Sequence, residues 1–155
     1  MDHSSKIGFS FGATSGIITT LGLIVGLTAS DASRAVVIGG VLTIAFADAF
    51  SDALGIHVSE ESEGNHTKRE IWVATLSTYF TKLVIALSFL IPLALFSPTI
   101  ALIVSIVWGS ALLTLLNYII APRDQKWSTI SEHLLIGMVV IIIGFVIGQF
   151  IKTSF

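Results

Sequence analysis

The chain has no cysteine, which excludes disulfides and thiolate metal sites and leaves its redox compartment unread. Charge is scarce as well. Asp, Glu, Lys and Arg make up 12% of 155 residues, about half the share of an ordinary soluble domain. The few basic residues are scattered rather than clustered, so a nucleic-acid partner has no support. Proline occurs only at Pro92, Pro98 and Pro122, leaving long stretches free to remain helical. What fills the chain instead is apolar: 54% hydrophobic residues and a mean hydropathy of +0.92. These values place it among integral membrane proteins. The polar start at Met1–Lys6 runs into an apolar stretch too long for a signal peptide and without a clear small-residue cleavage site, so the first helix is expected to be retained.

A bilayer crossing needs about 20 mostly apolar residues, and five stretches qualify. They are placed near 7–28, 35–58, 71–96, 99–121 and 130–151, giving an all-α, five-span transmembrane domain over 1–155. Short connections join them, and only the acidic loop 59–70 has a character of its own. Ser30, Asp31 and Ser33 are helix-start residues before the second span. Pro92 is expected to kink or end the third. Lys6, Lys68, Arg69, Arg123 and Lys126 fall on one side, against Arg34 and Lys152 on the other. The positive-inside bias therefore predicts a cytoplasmic N-terminus, a C-terminus on the opposite side, and the acidic loop in the cytoplasm.

The chemistry concentrates in the second span. Asp48 and Asp52 stand four residues apart inside apolar helix, so they share one face. A carboxylate at mid-membrane costs roughly 2.5–3.5 kcal/mol on insertion scales, so such groups mark function by default. That face suits a hard cation or an exchangeable proton. Counting back from residue 59 puts Asp48 roughly 16 Å and Asp52 roughly 10 Å deep, and Lys82 lies roughly 18 Å up the third helix. Asp48 and Lys82 thus reach similar depth, either as a register-fixing ion pair or as part of a pathway. Asp52 has no evident partner in the sequence, which favours a functional role.

Glu60, Glu61 and Glu63, with His57 and His66 nearby, form an oxygen-rich cluster that either collects divalent cations or is an ordinary solvated segment. Thr19 and Thr20 place hydroxyls at membrane depth, where bonding to their own helix is the default. Gly8, Gly12 and Gly16, then Gly22 and Gly26, then Gly144 and Gly148, recur at four-residue spacing, as do Ala45, Ala49 and Ala53. Small residues at this spacing allow close helix approach in lipid, within one monomer rather than at a dimer seam as the simpler reading.

The segments SGIITTLGLIVGL (15–27) and FADAFSDALGIHVSEESE (46–63) resemble the first and second helices of the vacuolar iron transporter family, and FLIPL (89–93) and EHLLIG…GFVIGQFI (132–151) echo its third and last. The chain differs in carrying Ser15, Asp52 and Ile56 where the family carries Asp, Met and an acidic residue. It also lacks the cytoplasmic metal-binding domain that some members insert after the second helix. The resemblance implies a homodimeric, proton-coupled exporter of ferrous iron and manganese, with no tightly bound cofactor. Asp48 would line the pathway, with Thr19 and Thr20 packed near it. Taken together, the expected ion and proton pathway is Asp48, Asp52, Lys82, Thr19 and Thr20, and the expected metal contacts are Asp48, Asp52, Glu60, Glu61, Glu63 and His57. The alternative is a non-transporting membrane scaffold or partner subunit, in which the ion pair and the glycine stripes serve packing alone. An intramembrane enzyme is disfavoured, because no nucleophile–base pair of clear spacing is present.

Overall fold

A computed structural model describes residues 3–155. It is built of helices: α1 (His3–Ala29), α2 (Arg34–Thr43), a single π turn (Ile44–Asp48), α3 (Ala49–Glu63), α4 (Lys68–Ser88), α5 (Leu90–Leu95), α6 (Pro98–Ile120) and α7 (Lys126–Ser154). Grouped by continuity, they make five helical rods long and apolar enough to cross a membrane: His3–Ala29, Arg34–Glu63, Lys68–Leu95, Pro98–Ile120 and Lys126–Ser154. The chain is a multi-pass integral membrane protein. Large apolar side chains such as Leu54, Val84, Val107 and Val146 face outward, the arrangement lipid demands and water would oppose.

Local chemistry sets the boundaries. Ser33 caps α2 by accepting from the Val36 amide, and Thr67 with Glu70 forms a reciprocal capping box at the start of α4. Gly64, at φ 68°, closes α3 in the left-handed conformation that glycine adopts without a Cβ penalty. No earlier residue stops that helix. Glu60, Glu61 and Glu63 therefore stand on helical backbone, and only a short connection remains of the acidic loop expected over 59–70. Pro92 has no amide hydrogen to give the preceding turn, and the third rod breaks at Phe89 between α4 and α5.

The core sits around α1, which packs most extensively on α4 and α7. The glycine stripes make those contacts. A Cβ at Gly8 would strike the Ala74 carbonyl of α4, and one at Gly12 would strike the backbone at Thr78. Gly22 and Gly26 face Gly144 and Gly148 of α7, where a Cβ at Gly148 would strike the Gly26 carbonyl. Ala45, Ala49 and Ala53 are buried in the same molecule. These small residues bring helices of one chain together, which leaves any seam with a second copy to other surfaces.

Candidate functional site: a lysine held between two aspartates

α4 carries Lys82 into the middle of the bundle, where its side chain is wholly buried. Its Nζ donates to Asp48 Oδ2 at 2.5 Å, to Asp52 Oδ2 at 2.6 Å and to Ser15 Oγ at 3.0 Å. An ammonium has three hydrogens and no acceptor, so every donor of Lys82 has a partner. Ser15, on α1, donates in turn to Asp52 Oδ2 at 2.6 Å. Three helical rods therefore meet in one closed polar network. The site brings two carboxyl groups to one amine, so acidic groups outnumber basic ones.

Backbone geometry helps to aim these groups. The π turn ends at Asp48, and the Ala49 amide reaches back to the Ile44 carbonyl, so one extra residue is accommodated just before the carboxylates. Such single π turns inside α-helices recur at functional sites. Here the turn sits where buried Ala45 and Ala49 press the helix into its neighbours. Depth counting places Asp48 level with Lys82, and the two meet. The sequence expectation that Asp52 stands without a partner is corrected, because the four-carbon lysine stem reaches between both members of the i, i+4 pair. Ser15 enters the network unforeseen, since nothing in the spacing fixes the rotation of α1 toward α4.

Burial is unequal across this network. Lys82 is sealed inside, whereas the Asp48 side chain is 39% exposed and that of Asp52 20%. The carboxylates thus present their open side outward from the bundle, with the ammonium behind them. Of the two threonines, Thr19 donates to the Ser15 carbonyl one turn back, steadying the backbone at Ser15. Thr20 is fully buried with a hydroxyl that has no hydrogen-bond partner among the described residues.

The second acidic group lies at the end of α3. Glu60 is buried, and its Oε2 lies 3.7 Å from His66 Nε2 without a hydrogen bond. His66 approaches Glu63 Oε2 at 3.3 Å and stacks on His3. Glu61 is exposed. His57 turns to α4, its Nδ1 2.9 Å from Thr75 Oγ1 and its ring edge against Trp72. The expected metal contacts thus divide into an inner pair, an outer acidic end and a histidine on another face. Among the described residues, no three His, Asp or Glu side chains converge as a preformed metal cage.

Five apolar rods, with a lysine and two aspartates joined between them, define a polytopic helical membrane protein. Residues 9–72 match the VIT family, a stretch running from α1 through the π turn and α3 into the start of α4. It contains Ser15, Asp48 and Asp52, while Lys82 lies beyond it. Members of that family are transporters rather than catalysts, and a non-enzymatic role accords with the match. Comparison with curated proteins and with solved structures finds no match in either.

Proposed function

We propose that the protein carries divalent metal, ferrous iron or manganese, out of the cytoplasm in exchange for protons, working as a homodimer with its N-terminus in the cytoplasm. The observation that carries this reading is the Lys82 ammonium held between Asp48 and Asp52. Two carboxylates that already grip a tethered cation have the charge and the spacing to grip a mobile one, or to take up protons when it leaves. Metal would gather at Glu60, Glu61 and Glu63, with His57 near that mouth, and pass to Asp52 and then Asp48. These residues serve as successive stations rather than one cage. Lys82 would reclaim the carboxylates after the cargo departs, so that they never stand unpaired at membrane depth. Thr19 and Thr20 pack beside the route. The outward exposure of Asp48 supports the dimer, because intramembrane carboxylates face a bundle interior or a water-filled cavity, not lipid. A second copy would supply that cover.

The test is ferrous iron and manganese flux into proteoliposomes, with and without a pH gradient. Flux driven by the gradient in the native chain, and lost in Asp48→Asn and Asp52→Asn, is expected. Unchanged flux and unchanged pH response in both variants would sink the exchange mechanism. A scaffold role is favoured by one observation, the full satisfaction of Lys82, which leaves the network complete without cargo. Under that reading folded protein moves neither metal.

A further inference from the structure

Along the outer face of α3 and α4 runs an apolar groove of about 410 Å³. Phe50 and Leu54 of α3 face Leu76, Tyr79 and Phe80 of α4 across it. Its deep end is walled by rings, with Phe50 against Tyr79 at 4.3 Å and Tyr79 against Phe80 at 5.2 Å. At the other end it meets a polar hollow of about 210 Å³, bordered by Glu61 and Lys68. His57 and Trp72 line both spaces, so the two form one continuous slot with an apolar floor and a charged mouth. The bond from His57 to Thr75 holds this neck in place.

We propose that this slot binds one phospholipid bearing a primary amine, its acyl chain along the aromatic groove and its headgroup between Glu61 and Lys68. Three observations point to that occupant. From Lys68 to Phe80 the helix rises roughly 18 Å, close to the roughly 15 Å depth of one leaflet's hydrocarbon. Trp72 sits at the transition from polar to apolar lining, the level at which tryptophan marks the headgroup boundary. The mouth carries one charge of each sign, and neither Glu61 nor Lys68 forms an ion pair with a described residue. A phosphate satisfies the lysine, and a primary ammonium donates hydrogen bonds to the carboxylate. A quaternary choline has no hydrogen to donate, and an anionic glycerol headgroup brings no cation to pair with Glu61. The occupant is therefore selected by headgroup, whereas lipid elsewhere on the surface is not. Glu61 also belongs to the proposed metal mouth, so headgroup preference is read in metal-free buffer, where its failure is distinct from a failure of transport.

Trp72 provides the probe. In the Trp108→Phe/Trp127→Phe background, the protein is placed in nanodiscs holding phospholipids with brominated acyl chains, which quench tryptophan on contact. Phosphatidylethanolamine is expected to quench Trp72 about two- to fivefold more effectively than phosphatidylcholine or phosphatidylglycerol at equal mole fraction, the reach of one exposed ion pair. Glu61→Gln should erase the preference over phosphatidylcholine, and Glu61→Lys should turn it toward phosphatidylglycerol. Native mass spectrometry of the unmodified chain with an equimolar mixture of the three lipids gives the same ranking without any tryptophan change. Headgroup-independent binding in both measurements overturns the proposal in favour of ordinary annular lipid. Efficient cross-linking between copies through Leu54→Cys, in a chain with no other cysteine, overturns it in favour of a protein interface.

Discussion

Lys82 has a partner for each of its three ammonium hydrogens, and its removal is therefore the most informative change at the scale of single residues. Lys82→Met leaves two carboxylates facing each other at membrane depth. Breaking a buried pair costs about 3–5 kcal/mol; the lower end, about 3 kcal/mol, is expected because Asp48 keeps partial exposure. Unfolding in detergent by denaturant titration checks this. Leaving no ionisable group unpaired requires all three residues to change, so Asp48→Asn/Asp52→Asn/Lys82→Met should recover most of that loss, whereas Asp48→Asn/Lys82→Met should recover only part. If the double change recovered everything, Asp52 would not belong to the network. At this scale the sequence was partly legible. Helical rise is a reliable ruler, so counting placed Asp48 and Lys82 at one depth. Rotation about the helix axis is not encoded in a count, which is why Ser15 and the second bond to Asp52 came only with the structure. His57 illustrates the same limit. Its place beside the acidic residues in sequence gave no sign that its ring turns to Thr75 and Trp72.

At the scale of elements, glycines divide into those that permit contact and those that merely occupy a helix. Gly12→Ala drives a methyl into the backbone at Thr78. Such overpacking costs typically about 1–3 kcal/mol, and a matching fall in thermal stability is expected. Gly55 has nothing within 4 Å of an added Cβ, and it lies inside α3. Gly55→Ala should therefore stabilise by about 0.5–1 kcal/mol through backbone entropy and helix propensity. Melting of the two variants side by side tests the assignment, and equal responses would contradict it. The rods themselves were readable because apolar length is a strong signal, and the break near Pro92 because proline lacks an amide hydrogen. The π turn at Ile44–Asp48 was not readable. No proline or glycine marks it, and it coincides with close alanine packing whose partners lie far away in sequence. The extension of α3 to Glu63 is hidden in the sequence for a related reason. An acidic run reads as a loop, and nothing in the sequence alone says that Gly64 rather than Gly55 takes the left-handed conformation that ends the helix.

For the whole molecule, the exposed side of Asp48 is the feature that most constrains assembly. A partly exposed carboxylate inside an apolar rod needs cover in a bilayer, and under the proposed function a second copy would cover the Asp48 side. Single cysteines introduced near the carboxylates, for example Ser51→Cys and Ala49→Cys, separate the faces: Ser51, one turn along from Asp48, is exposed and Ala49 is fully buried. Cross-linking between copies is expected through Ser51→Cys and not through Ala49→Cys, and a monomer at every protein concentration in lipid would argue against the dimer. The lumenal pH of proteoliposomes, followed with a trapped dye while manganese is added outside, bears on metal/proton exchange most directly. The account predicts that the lumen becomes more alkaline as metal enters and protons leave, and that Asp52→Asn abolishes the change. Manganese entry with no movement of lumenal pH, from protein shown to be folded, would contradict it.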